Sequence, residues 1–140
     1  MSSLVLKQEN LHGLTERIGD ETWVVACLCA AWCDVCTQYH PGFDQIAARH
    51  PNALFLWIDI EDCAELVGDF DVENFPTLLI QRGDDVMFYG TTLPDPLIAQ
   101  RLLTAHVEQS DARRAESRKN AERQHWSAER NLRVALKAIR

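Results

Sequence analysis

The sequence has no long apolar run near its amino terminus, where residues 1–7 read Met-Ser-Ser-Leu-Val-Leu-Lys. A secretory signal needs an apolar stretch of about 7–15 residues and a membrane-spanning helix needs about 20, so we expect neither. Five cysteines in 140 residues are an odd number, which disfavours a secreted disulfide framework and favours reactive or buried thiols. We therefore expect a cytoplasmic protein, because thiols stay reduced in that compartment.

Internal repeats and low-complexity segments are also lacking, and basic residues are scarce in most of the chain. Residues 1–110 hold 17 acidic residues against 5 Lys and Arg, a balance of −12, whereas residues 111–140 hold 4 against 9, a balance of +5. An acidic body opposes polyanions, so we expect neither nucleic acid nor a membrane as partner. The 46% hydrophobic content suffices for one core without disulfide staples.

Short apolar runs alternate with helical patterns along the chain. Residues 23–30 read Trp-Val-Val-Ala-Cys-Leu-Cys-Ala, and a run without polar alternation is typical of a strand covered on both faces. Strands are predicted over 4–6, 23–30, 53–58, 77–80 and 86–89, and helices over 9–19, 36–47, 62–70 and from residue 96 onward. This order predicts an α/β fold, a mixed central sheet with helices on both faces.

A Cys-x-x-Cys motif, Cys33-Asp-Val-Cys36, stands between the strand at 23–30 and the following helix. A thiol at a helix start is favoured as thiolate by the unpaired N–H groups and the helix dipole, and the thiolate is the nucleophilic form. A second cysteine one turn later lies on the same side and can attack a mixed disulfide. The motif therefore predicts Cys33 as nucleophile and Cys36 as resolving thiol.

Several motifs together resemble the thioredoxin family over roughly residues 4–108. They are Ala-Ala-Trp-Cys-Asp-Val-Cys at 30–36, Pro41 five residues beyond the second cysteine, Asp-Ile-Glu-Asp at 59–62, Asn-Phe-Pro-Thr at 74–77, and Gly83 and Gly90. The resemblance implies a thioredoxin fold and a protein disulfide oxidoreductase that needs no bound cofactor and no metal. Its partners would be protein disulfide substrates and a reductase as electron donor.

The resemblance also assigns a substrate-facing groove, formed by Trp32, Phe75, Pro76 and Gly90. The peptide bond before Pro76 is expected to be cis, a form that is rare even before proline. Proline has no N–H and does not chelate, so at this position it discourages metal capture by the cysteine pair.

Two departures from the family pattern concern the tuning of the pair. Asp34 and Val35 replace the usual Gly-Pro, and an acidic neighbour disfavours a Cys33 thiolate, which indicates a reducing direction. Cys27 stands where the family usually has a buried Asp that assists proton transfer, and Trp57 stands about where a lysine is common. Proton transfer would then use water, another side chain or a slower route.

The remaining polar and thiol side chains have plainer interpretations. Cys27 and Cys29 are expected to be small core residues, Cys63 an exposed bystander and His40 a surface residue. Asp59, Glu61 and Asp62 are read as a solvated loop. A metal site built from Cys27, Cys29, Cys33 and Cys36 is disfavoured, because the first two share one strand face and Cys33 lies beyond the strand end.

Residues 109–140 form a basic extension beyond a thioredoxin-like domain at 1–108. Residues 109–120 are almost wholly polar, and a helical stripe follows: Ala121, His125, Ala128, Leu132, Ala135, Leu136 and Ile139. The first expectation is that this tail docks on its own acidic domain or on a second copy, as a homodimer, and the second is that it binds a separate partner. The alternative function is a binding or scaffold module with weak or no redox turnover, which works through this tail.

Overall fold

A five-stranded mixed sheet forms the centre of the computed structural model, which describes residues 3–70, 72–109 and 111–139. The strands are β1 (Leu4–Val5), β2 (Trp23–Cys29), β3 (Ala53–Asp59), β4 (Thr77–Arg82) and β5 (Asp85–Thr91), in the spatial order β1-β3-β2-β4-β5. β3 is parallel to β1 and β2, whereas β4 is antiparallel to both β2 and β5. The central β2 is buried on both faces, as its uninterrupted apolar run predicts.

Helices cover both faces of the sheet, which confirms the predicted architecture. They are α1 (Gln8–Leu14), α2 (Asp34–Arg49), α3 (Ala64–Val67), α4 (Pro96–Val107), α5 (Asp111–Arg118), α6 (Ala121–Glu129) and α7 (Leu132–Ala138). Short 3-10 turns extend α1 over Thr15–Arg17 and α3 over Gly68–Phe70. One apolar cluster lies between the sheet and α2 and α4, and a second joins the sheet to α1, α3 and α7.

The long helix α2 places the cysteine motif against the sheet. Its buried face is the predicted one, formed by Cys36, Tyr39, Phe43, Ile46 and Ala47. Pro41 lies inside the helix on its exposed side, where its missing N–H is tolerated because the buried face anchors the turns before and after it.

The tail docks on its own chain, one of the two predicted arrangements. Leu132 and Leu136 are buried in the cluster that includes α1 and α3, and Ile139 packs against it. Basic tail residues also pair with the acidic body, since Arg133 lies 2.9 Å from Asp20 and Arg118 lies 3.1 Å from Asp85. The charge division of the sequence therefore corresponds to an intramolecular contact.

The tail stripe predicted from the sequence is wrong in its first half. Ala121, His125 and Ala128 are exposed, and α6 turns Arg123 towards β5 instead. Arg123 is buried, donates from Nε to the Val86 carbonyl at 3.3 Å and pairs with Asp85. The reason is a break between α6 and α7, which changes the face that each helix buries.

Asn131 is the N-cap residue of α7 and fixes this helix to the sheet. Its side-chain oxygen accepts from the Val134 amide at 3.2 Å and from Gln81 Nε2 at 2.6 Å. Gln81 Oε1 in turn accepts from the Leu132 amide at 2.9 Å. Gln81 pairs with Val24 at the start of β2, so the tail is attached at the end of the sheet opposite to the Cys33 loop.

Candidate active site

Cys33 lies at the junction that the sequence predicts, between the end of β2 and the first turn of α2. It is the N-cap residue of α2, and its amide donates to the Ala30 carbonyl at 3.0 Å. The Cys33 thiol is free and half-buried, and Asp34 and Val35 beside it are exposed. An accessible thiol at a helix N-terminus is placed for nucleophilic attack.

Cys36 is bonded to Cys29 rather than to Cys33. The two bonded residues are each 1% exposed, and their Cα atoms are 5.8 Å apart. Cys29 is the last residue of β2 and points towards α2, and Cys36 points back at the sheet from the first turn of that helix. The interpretation of Cys29 as a plain core thiol is therefore wrong, because the strand end and the helix start bring the two side chains together.

Cys27 lies one strand repeat before Cys29, on the same face of β2. The two sulfur atoms are 3.6 Å apart, and burial raises the pKa of the Cys27 thiol far above its ordinary value. The Tyr39 hydroxyl, on the buried face of α2, has no hydrogen-bond partner among the described residues. Burial is the main cause that raises the pKa of Tyr39, and the nearby Cys27 and Asp95 raise it further. Among the residues that the structure describes, no Asp or Glu side chain is fully buried, so none takes the position that Cys27 occupies beside the disulfide.

His40, which the sequence analysis expects at the surface, is partly exposed and stacks on Trp57. Their ring centroids are 3.9 Å apart with an angle of 8° between the rings, and His40 is half-buried. His40 Nε2 also lies 3.7 Å from Asp44. Trp57 pairs in register with Cys27, so this aromatic pair fills the region where the family commonly has a lysine.

The Pro76 loop lies beside the Cys33 loop because β4 runs antiparallel to β2. Thr77 pairs with Leu28 near the end of β2, and the Phe75–Pro76 peptide is cis, as the family resemblance predicts. Pro76 is buried, and its carbonyl accepts from the Thr92 amide at 3.1 Å. Gly90, the fourth predicted groove residue, is half-buried and lies opposite Leu78, two residues beyond Pro76.

Trp32 connects the two loops. It is 67% exposed, and its ring meets Phe75 edge-on at 5.6 Å between centroids. Its indole N–H donates to Glu61. The structure thus brings Trp32, Phe75 and Pro76 together next to Cys33. Leu93 follows β5 at the same end and is 71% exposed, and sequence reasoning did not single it out.

Asp59 holds the Cys33 loop, a role that the solvated-loop interpretation missed. Its carboxylate accepts from the Ala31 amide at 2.7 Å and from the Glu61 and Asp62 amides at 2.8 and 3.2 Å. An Asp at the end of a buried strand, followed by a turn, is a pattern typical of side chains that cap backbone amides. That signal was available in the sequence.

Cys63 is buried, not exposed as predicted. It is 2% exposed, and its thiol contacts the Leu6 carbonyl at 3.6 Å. Burial, with Asp62 and Asp59 nearby, raises the pKa of Cys63 to about 11. The short α3 begins directly after it, and this turns the side chain into the core cluster.

Neither a metal site nor a membrane span occurs in the part of the chain that the structure describes. Over residues 3–70, 72–109 and 111–139, three or more His, Cys, Asp or Glu side chains never converge in a way that would hold a metal ion. Every helix in those ranges is too short or too polar to pass through a bilayer.

This arrangement, an accessible cysteine between the central strand and the following helix, beside a cis-proline loop, defines a protein of the thioredoxin-fold class. The thioredoxin family model matches residues 3–102, so the chain belongs to the thioredoxin family. Mouse thioredoxin is 30% identical over 77 residues, covering 55% of this chain and 72% of that protein. Rat thioredoxin domain-containing protein 2 is 32% identical over 85 residues, which is 61% of this chain but 15% of that protein.

Solved structures agree on the fold. A thioredoxin from Trypanosoma brucei brucei superimposes with a TM-score of 0.65 at 19% identity, covering 77% of this chain and 93% of the other. A poplar thioredoxin h mutant gives a TM-score of 0.66 at 16% identity, covering 79% and 88%. The family model ends at residue 102, and α7, which lies beyond it, contributes to the same core cluster as α1 and α3.

Proposed function

We propose that this protein is a thiol–disulfide oxidoreductase that acts on protein disulfides through Cys33 and Cys36. The observation that carries the proposal is the position of Cys33. Of the five cysteines, all within the described residues, it is the one that is not buried, and it stands at the α2 N-terminus beside the cis-Pro76 loop.

The proposed reaction is dithiol–disulfide exchange. The Cys33 thiolate attacks one sulfur of a substrate disulfide, forms a mixed disulfide and expels the other substrate thiolate, which takes up a proton. Cys36, reduced and deprotonated, then attacks Cys33 Sγ and expels the second substrate thiolate. The substrate gains two electrons, and the protein leaves with a Cys33–Cys36 disulfide.

An extended peptide would bind along the groove formed by Trp32, Phe75, Pro76 and Gly90. Pro76 offers no N–H and its carbonyl is bonded to Thr92, so we assign main-chain pairing with the substrate to Phe75. Trp32 and Leu93 supply exposed apolar surface on either side of the loop. Such surface is typical of binding sites for apolar side chains.

The direction we propose is reduction of substrates, with electrons supplied by a reductase. Cys33 is a free, accessible thiol in the observed state, which is the form that attacks a substrate disulfide. A reducing role requires a compartment that keeps thiols reduced, so we propose a cytoplasmic location. Alkylation of the thiols in intact cells, followed by mass spectrometry, would report the resting redox state directly.

Insulin reduction by dithiothreitol tests the proposal. The wild type should accelerate precipitation of the insulin B chain, and Cys33→Ser should fall to the rate of dithiothreitol alone, because no other thiol reaches a protein substrate. Cys63→Ser is the matched control, since it removes a buried thiol outside the site. Equal acceleration by wild type and Cys33→Ser would refute the function.

The scaffold alternative has one observation in its favour. In the observed state Cys36 is bonded to Cys29 and is not available to resolve a mixed disulfide. The position of the tail disfavours the scaffold function, because the apolar residues Leu132 and Leu136 are already buried in the same chain and do not offer a surface to a partner. The scaffold function would be favoured if Cys33 showed no catalytic turnover at the redox potentials that glutathione or a thioredoxin-like protein maintains.

A further inference from the structure

We propose that Cys29 is a third redox-active cysteine, which takes the disulfide over from Cys33 and holds it, as Cys29–Cys36, inside the fold. The inference rests on the proposed exchange through Cys33 and Cys36. It adds a second oxidised state in which the disulfide is buried and the surface thiol is free again.

Accessibility determines the route by which Cys29 is oxidised. Cys29 and Cys36 are each 1% exposed, whereas Cys33 is half-buried at the loop surface. A protein disulfide cannot reach either buried sulfur for the in-line attack that exchange requires. Oxidising equivalents from such a substrate therefore enter at Cys33 and pass inward.

The backbone places Cys36 between two partners. Its Cα lies 5.8 Å from that of Cys29, within the usual 4.4–6.8 Å for a disulfide, and Cys33 lies one helical turn before it. Hydrogen bonds fix the backbone around the bonded pair. The Cys29 carbonyl accepts from Ile60 at 2.9 Å, and the Cys33 carbonyl accepts from Thr37 at 3.1 Å. Cys36 is thus the shared member of two alternative disulfides on a fixed frame.

The transfer is an isomerisation that needs no external oxidant. The Cys29 thiolate attacks Cys36 Sγ of the Cys33–Cys36 disulfide, the Cys29–Cys36 bond forms, and the Cys33 sulfur leaves as thiolate. The proton lost by Cys29 is balanced by the one that Cys33 takes up. Cys27, whose sulfur is 3.6 Å from that of Cys29, stays a free thiol in the observed state.

The consequence is a protein that is oxidised yet carries a free surface thiol. In this state Cys33 can form a mixed disulfide with a substrate, but Cys36 has no thiol with which to resolve it as long as it stays bonded to Cys29. The buried bond is also out of reach of a protein reductase. Oxidation would therefore convert a two-cysteine exchange enzyme into a one-cysteine form that holds its partner.

Disulfide mapping over time tests the transfer. The reduced full-length protein is mixed with one equivalent of oxidised glutathione, quenched in acid at intervals, alkylated with N-ethylmaleimide and digested with chymotrypsin, which cleaves after Trp32. A Cys29–Cys36 bond links the peptides on either side of that cut and leaves Cys33 alkylated. A Cys33–Cys36 bond stays within one peptide and leaves Cys29 alkylated.

We expect Cys33–Cys36 first and Cys29–Cys36 at the end, with most Cys33 alkylated. Cys29→Ala should stop at Cys33–Cys36, and the control Cys63→Ala should show the wild-type sequence of bonds. Cys33→Ser should acquire the Cys29–Cys36 bond at least tenfold more slowly when the oxidant is a protein disulfide. Persistent Cys33–Cys36 in the wild type, or an equal rate for Cys33→Ser, would overturn the inference.

These outcomes are separable from failure of the proposed function. Insulin reduction that depends on Cys33, together with a lasting Cys33–Cys36 bond, refutes the transfer alone. Insulin reduction that is independent of Cys33 refutes the exchange function and the transfer with it.

Discussion

Truncation of Leu132 is predicted to destabilise the whole protein, although this residue lies in the tail beyond the family match. Leu132 is 1% exposed in the cluster that joins α7 to α1 and α3. Leu→Ala at a buried site costs about 2–5 kcal/mol, the lost transfer free energy plus the cavity left behind. Because a domain is stable by only about 5–15 kcal/mol, Leu132→Ala should remove a large fraction of the free energy of unfolding.

Val134→Ala is the matched control on the same helix. Val134 is 55% exposed, so its truncation should cost less than about 0.5 kcal/mol. Urea titration followed by tryptophan fluorescence gives the free energy of unfolding of each variant. Tryptic cleavage after Arg130 and Arg133 reports opening of the tail itself, and a loss of 2 kcal/mol should accelerate it roughly 30-fold.

The two variants decide whether the tail is part of the fold. A midpoint shift for Leu132→Ala no larger than that for Val134→Ala would refute intramolecular docking. So would wild-type tail cleavage as fast as that of an unfolded peptide. At denaturant concentrations below its unfolding midpoint, the Leu132→Ala variant should still reduce insulin, and this activity should depend on Cys33 as it does in the wild type. The reason is that α7 is fixed at the end of the sheet opposite to the Cys33 loop.

Three further predictions concern single side chains near the site and in the core. The free energy of unfolding of the wild type minus that of Cys63→Ala should fall by about 1 kcal/mol per pH unit between pH 9 and 11. The reason is the raised pKa of about 11, by which the folded protein keeps a proton that the unfolded chain, near 9.0, has lost. A flat difference across that range in urea titrations would contradict this. Asp59→Ala should speed hydrogen exchange of the Ala31 amide and lower the free energy of unfolding by about 1–3 kcal/mol. If NMR shows that the Ala31 amide is as well protected from exchange as in the wild type, Asp59 does not hold the loop. Cys27→Asp should lower stability, because a buried carboxyl without a partner is costly, and should speed release of mixed disulfides by Cys36 in quenched-flow measurements; unchanged release would argue against a proton-transfer limit.

The fold could be predicted from the sequence because its main signals are local. The apolar run over 23–30 specifies a strand buried on both faces, and the Cys33 to Cys36 segment follows it directly into a helix. Asn-Phe-Pro-Thr at 74–77 specifies the cis-proline loop once the family is recognised. The hydrophobic pattern and the short motifs suffice to predict such features, since each feature depends on residues that are close together in the sequence.

What the sequence did not reveal depends on contacts between distant residues. The bond between Cys29 and Cys36 forms because the first turn of α2 packs over the end of β2, and the spacing of the two cysteines in the sequence does not reveal that contact. The break before α7 rests on the buried pairing of Asn131 with Gln81, fifty residues away. Burial of Cys63 follows from how the short α3 packs, because the acidic residues before it suggest exposure instead.

The most direct test of the central claim is to identify which cysteine first bonds to a substrate. Reduced Cys36→Ser protein is mixed with a peptide disulfide, quenched, and mapped by mass spectrometry, with the wild type as comparison. We predict that the peptide is attached to Cys33, persistently in Cys36→Ser and only transiently in the wild type. Attachment to Cys29 or Cys63, or no attachment at all, would contradict the assignment of Cys33 as the nucleophile.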